Sequence, residues 1–182
     1  MQQAPLQYTR TAIVLHWLIA LAIFCSFGVG LYVDGMPLSP LKFKVITWHK
    51  WAGISILSLV LIRIVWRATH RPPALPTSMA PWERLAAEGA HYLLYVLMFA
   101  VPMIGWLFSS AAGRQVIWFN LIPLPDLVAK NEGLADILHE THAVLAWTLM
   151  TVVVLHLLAA LKHHFISRDA VLARMLPFLN RS

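Results

Sequence analysis

The chain has 182 residues, of which 59% are hydrophobic and only 12% charged, with a formal net charge of +6. Soluble domains carry charge on roughly a quarter of their residues, so lipid is the expected solvent for most of this chain. The basic residues flank apolar blocks and form no run interleaved with aromatics, which argues for membrane topology and against a nucleic-acid partner. A lone cysteine, Cys25, excludes an internal disulfide, and the absence of a Cys-x-x-Cys-His motif excludes covalent haem attachment. Cys25 reads as a small packing residue.

About 20 apolar residues cross a bilayer core, and four stretches qualify. The first runs from Thr11 to Val33. It is too long for a signal-peptide core and has no small-residue cleavage site after it. Asp34-Gly35-Met36-Pro37 then turns the chain. The second stretch, Ile46–Trp66, has an uncharged centre only from Trp51 to Ile62, so Lys50 and Arg63 must snorkel or find partners. A Pro-rich connector from Arg71 to Pro81 precedes the third stretch, His91–Ala112, which Pro102 is expected to bend. The third connector holds Ile122-Pro123-Leu124-Pro125-Asp126, and the fourth stretch is His139–Leu161. The reading is an all-α, four-helix integral membrane bundle, with residues 1–182 forming one domain.

Alternate connectors divide the basic residues. Arg10, Arg63, Arg67, Arg71, Arg84, Lys162, Arg168, Arg174 and Arg181 fall on one side. Lys42, Lys44, Lys50, Arg114 and Lys130 fall on the other. The excess places both termini in the cytoplasm. Trp17, Trp48, Trp51, Trp66, Trp82 and Trp118 read as interfacial anchors.

Nine histidines in so apolar a chain is the anomaly, because ionisable groups within spans are costly and mark function. His16 and His156 lie toward the inner face, with His91 nearby; His49, His139 and His142 lie toward the outer face. His163 and His164 end the fourth span, and His70 falls in the inner connector. Two neutral imidazoles facing each other across a bundle form a natural axial pair for a planar haem. Fourteen residues separate His142 from His156, just under four turns, so both point to nearly one face about 21 Å apart. His139 falls about 100° off that face. The outer pair is therefore His49 with His142, and the inner pair His16 with His156. Zinc is the weaker reading, since thiolates are lacking and carboxylates are few.

Arg63 lies fourteen residues after His49, so it faces the interior at the inner level, where it could pair a haem propionate or a quinone oxygen. Gly53, one turn after His49, would let a flat ring approach, and Gly28, Gly30 and Gly105 could act likewise. His91, Arg63 and His163 cluster at the inner boundary and are candidates for a quinone's surroundings.

The segments TAIVLHWLIAL, HKWAGISILSLVLIRIVWR, AHYLLYVLMFAVPMIGWLFSSAAG and HAVLAWTLMTVVVLHLLAALKHHFISRD closely resemble the bacterial cytochrome b561 family of small membrane cytochromes. The resemblance covers nearly the whole chain. It implies a multi-pass protein of the bacterial inner membrane with two non-covalent b haems, whose iron ligands fall on His16, His49, His142 and His156. It also implies electron exchange with ubiquinone, and an oxidoreductase taking electrons from periplasmic superoxide or another periplasmic donor. An anionic donor would be steered by the outer basic group. The alternative implied by related bundles is a non-catalytic cytochrome b subunit of a larger dehydrogenase or hydrogenase. The doubled His139/His142 departs from the family's single-histidine pattern.

Overall fold

A computed structural model describes residues 7–76, 79–176 and 179. Four long helices follow one another: α1 (Arg10–Asp34), α2 (Pro40–Thr69), α3 (Pro81–Ala111) and α4 (Glu132–Lys162). All four are long and apolar enough to cross a membrane. A minimal hairpin, β1 (Ile117–Trp118) and β2 (Ile122–Pro123), stands between α3 and α4, and a π-helical turn, His163–Ser167, follows α4.

Local chemistry sets the helix starts. Thr9 Oγ1 accepts from the Ala12 N–H, Ser39 Oγ from Lys42 N–H and Asn131 Oδ1 from Leu134 N–H. Each oxygen satisfies one of the donors that a helix N-terminus leaves open. Pro40 and Pro81 open α2 and α3, where their missing N–H costs nothing. The helices overrun the apolar blocks of the sequence, because hydropathy marks only the lipid-facing part while the hydrogen-bonded helix continues into the polar interface. α3 begins ten residues before His91, and Glu83 in its first turn accepts from both the Ala80 N–H and Lys162 Nζ. Pro102 is buried within a continuous α3.

Neighbouring helices pack antiparallel in sequence order, and an edge-to-face contact of Phe27 with Trp147 joins α1 to α4. Two indoles tie the chain ends together. Trp66 Nε1 donates to Thr9 Oγ1, and Trp17 Nε1 to the Met175 carbonyl. The start of α1, the end of α2 and the C-terminal segment therefore share one end of the bundle, called here the terminal face. Arg10, Arg67, Arg71, Arg84, Lys162, Arg168 and Arg174 belong to this end, while Arg181 lies outside the described residues.

The opposite end carries the hairpin, which the sequence did not announce. Phe119 and Asn120 both take left-handed backbone conformations (φ 50° and 57°), and the Leu121 N–H closes the turn on the Trp118 carbonyl. Paired left-handed residues match the twist of a tight hairpin. Trp51 Nε1 donates to the Ile117 carbonyl, Trp118 Nε1 to Ser55 Oγ and Lys50 Nζ to the Arg114 carbonyl, so the hairpin is clamped onto α2. These bonds also give Lys50 the polar partner its place near the apolar stretch demands.

The outside of the bundle is apolar, with Val14, Leu21, Val65, Val144 and Leu155 all well exposed. Cys25, expected to fill space between helices, is exposed on α1 instead; in lipid an apolar thiol needs no burial. The packed interior is a layer of Ile19, Ile23, Ile56, Val60, Leu94, Leu97 and Leu149, drawn from all four helices. Lipid is as apolar as leucine, so this layer is held mainly by close contact. Leu97→Ala should therefore cost about 1–2 kcal/mol, the cavity part of the usual penalty, read as a lowered unfolding midpoint in detergent.

Candidate functional site

The apolar layer separates two pairs of facing histidines. Leu149 lies midway in sequence between His142 and His156, and Ile56 midway between His49 and Arg63, so the layer sits between the two levels. Toward the terminal face, the rings of His16 and His156 have centroids 6.3 Å apart. Toward the hairpin face, His49 and His142 are 6.1 Å apart. A metal–imidazole bond is about 2 Å and the nitrogen lies ~1.1 Å from its ring centre, so one metal shared by two imidazoles sets the centroids about 6 Å apart. Both pairs fit that requirement. Among the described residues, donors of the metal-binding kind come in such pairs and not in groups of three or more.

The hairpin-face pair is oriented by neutral hydrogen-bond partners. His142 Nδ1 lies 2.9 Å from the Val101 carbonyl, which can only accept, so Nδ1 carries the hydrogen and the Nε2 lone pair is free. His49 Nδ1 lies 3.3 Å from Ser26 Oγ, a hydroxyl able to accept there and leave Nε2 for a metal. Two glycines make room for these rings. A Cβ on Gly105 would lie 3.0 Å from His142 Cε1, and one on Gly30 would lie 3.4 Å from His49 Cε1. The sequence suggested that glycines would clear space for a flat cofactor; Gly30 and Gly105 clear it for the histidines themselves. Gly53 and Gly28 have nothing within 4 Å of their Cβ positions and leave open space. His139 points elsewhere. It is half exposed, 3.6 Å from Glu140, and its ring lies against Phe108.

The terminal-face pair sits in a cavity of about 200 Å³. His16, His91, His156, Arg63 and Tyr95 line it, and Val171–Met175 of the C-terminal segment closes one side. Arg63 is held by three contacts: Nη1 donates to the Ala12 carbonyl (2.9 Å), Nε to Tyr95 Oη (3.1 Å), and Nη2 lies 3.4 Å from His16 Nδ1. His91 is drawn well inside, its ring centroid 5.4 Å from that of His156. His163 is not part of the lining; its Nδ1 pairs with Asp169 Oδ2 at 2.6 Å, both side chains nearly buried. His70 stacks on Trp66, exposed.

Tyr95, Ser26 and Asp169 escaped the sequence reading. Tyr95 could have been found, since it lies four residues after His91 on the same helical face. Ser26 shares a face with Gly30, at the depth of His49. Asp169 follows a π-helical turn that ends in the left-handed Arg168 (φ 53°), a fold no periodicity announces.

The sequence profile of the prokaryotic cytochrome b561 family matches residues 7–178. The chain belongs to that family. It is 35% identical to cytochrome b561 homolog 2 of Escherichia coli (strain K12), over 94% of this chain and 92% of that one. It is 31% identical to the probable superoxide oxidase CybB of Yersinia pestis, over 94% of this chain and 96% of the relative. Cytochrome b561 homolog 1 of E. coli matches at 26% identity over 94% of this chain. Membership makes this a bacterial membrane protein of electron transport that binds b-type haem, and the paired imidazoles are donors suited to that group.

The basic residues of the hairpin face are partly engaged. Lys42 Nζ donates to the Met36 carbonyl, Lys44 lies 5.4 Å over the Trp48 ring, and Lys130 lies 3.6 Å from Glu132.

Proposed function

We propose that residues 1–182 form one cytochrome domain that carries two b haems and passes electrons across the bacterial inner membrane. His16 with His156 ligates one haem, and His49 with His142 the other. What carries the reading is the pair of facing imidazole pairs, at two depths and at the spacing one iron requires. Haem supplies one-electron chemistry, its iron alternating between ferric and ferrous states. The chain's part is to hold the ligands and keep the path dry. The Val101 carbonyl fixes the tautomer of His142, and Ser26 Oγ steadies the ring of His49. The seven-residue apolar layer excludes water between the two levels.

The terminal face is cytoplasmic, by the excess of basic residues that the sequence assigns to its side of the membrane, nine against five. Superoxide, named in the Yersinia relative, is the donor proposed at the periplasmic hairpin face, where Lys42, Lys44, Lys50, Arg114 and Lys130 give a positive potential that steers an anion. Each superoxide yields one electron and leaves as dioxygen. Two electrons and two protons convert ubiquinone to ubiquinol at the cytoplasmic boundary, where His91 supplies a polar group for its headgroup; the sequence's other candidates are engaged, Arg63 with Ala12 and Tyr95 and His163 with Asp169.

The test is direct. Purified protein given superoxide and a short-chain ubiquinone should show haem reduction followed by quinol formation at two superoxides per quinone. Haem that stays oxidised under a superoxide flux excludes superoxide as donor.

A further inference from the structure

Three guanidiniums, Arg63, Arg67 and Arg174, line the terminal-face cavity, and among the described residues no carboxylate lines it. Unpaired cations at a membrane boundary call for an anion. The sequence pointed to Arg63 as the partner of a haem propionate or a quinone oxygen, but its Nη1 and Nε are already directed at Ala12 and Tyr95. Arg63 is thereby held at the wall of the cavity, with Nη2 3.4 Å from His16 Nδ1.

Arg67 is placed differently. It follows Arg63 by one helical turn, on the same face and nearer the terminal face. Its guanidinium lies 5.7 Å over the Tyr95 ring and makes no hydrogen bond among the described residues, so its fork of donors is available. Arg174 approaches from the C-terminal segment. Its Nη1 donates to the Ala74 carbonyl, and its other two nitrogens are uncommitted among the described residues. Two guanidiniums from separate elements thus border the outer part of a cavity whose depth is lined by imidazoles. Guanidinium forks match carboxylates in bidentate fashion.

We infer that Arg67 and Arg174 clamp the two carboxylates of the haem held by His16 and His156, whose carboxylate edge therefore points to the terminal face. This rests on the two-haem reading above. A phospholipid phosphate would satisfy the same guanidiniums, so the test separates the two sources.

Full-length protein with its haems bound is mixed with excess apomyoglobin in detergent, and haem transfer is followed. In the Arg67→Gln/Arg174→Gln protein, one haem should leave about tenfold faster, as loss of a charge-assisted bond implies. The second haem should leave at the wild-type rate, and Arg67→Lys should fall between. Wild-type protein loaded with haem dimethyl ester, which lacks free carboxylates, supplies an arm that needs no substitution. It should lose the ester from one site as fast as the double variant loses haem. Ester retained as firmly as haem, or transfer rates unchanged in the variant, overturns the clamp. Unchanged rates with less bound phospholipid phosphorus in the variant would assign the arginines to lipid. A wild-type protein without two haems would instead remove the reading on which the clamp rests.

Discussion

His142→Ala is expected to abolish one of two haems, leaving a protein with about half the wild-type haem per chain, while His139→Ala keeps both. The two histidines are three residues apart and chemically alike, so only geometry separates them. His142 turns inward, its ring 6.1 Å from that of His49 and its Nδ1 bonded to the Val101 carbonyl. His139 faces outward beside Glu140. Removing an axial ligand deletes a metal–nitrogen bond and leaves a buried imidazole on the opposite side unpaired, which no surface change imitates. Pyridine haemochrome assay of the two purified variants reads the difference. Loss of a haem in His139→Ala with retention in His142→Ala would reverse the assignment.

The second large effect belongs to a residue that touches no cofactor. A Cβ at Gly105 would lie 3.0 Å from His142 Cε1 and 3.1 Å from Nδ1, closer than real Cβ contacts normally come. Gly105→Ala requires the ring to give by a few tenths of an ångström, and haem affinity should fall by about tenfold, on the scale of losses when a ligand's supporting shell is disturbed. Gly105→Leu drives the ring out of its notch and should match His142→Ala in haem content. The same changes at Gly89, near the other end of α3 and with an open Cβ position, give a control: Gly89→Ala should leave His49 and His142 undisturbed. The readout is haem content together with the low-spin Soret band, which reports two nitrogen ligands on iron. Gly105→Leu with both haems at wild-type occupancy would show that α3 yields where a close-packed notch is inferred.

Much of this was legible in the chain because the physics is one-dimensional. Apolar length fixes four crossings, and 3.6 residues per turn fixes which histidines share a face, so His142 and His156 separate from His139 by arithmetic alone. Helix lengths were not legible in the same way. α3 extends ten residues before its apolar block, since Glu83 and Lys162 pair there and hydropathy is blind to polar helix. The hairpin on α2 depends on two left-handed residues, Phe119 and Asn120, neither of them glycine. Side-chain direction was the other gap. Fourteen-residue spacing put Arg63 at the level of His16, yet could not say that Tyr95 and Ala12 would occupy its donors and leave Arg67 free. Glycines were read as room for a ring; which ring depends on how α1 and α3 meet the histidines of their neighbours.

One chain is proposed to hold two haems, each between two histidines. Haem per polypeptide in the purified protein, by pyridine haemochrome against quantitative amino-acid analysis, tests it most directly. Two b haems per chain are expected; a value of one, or none, would contradict the two-haem arrangement.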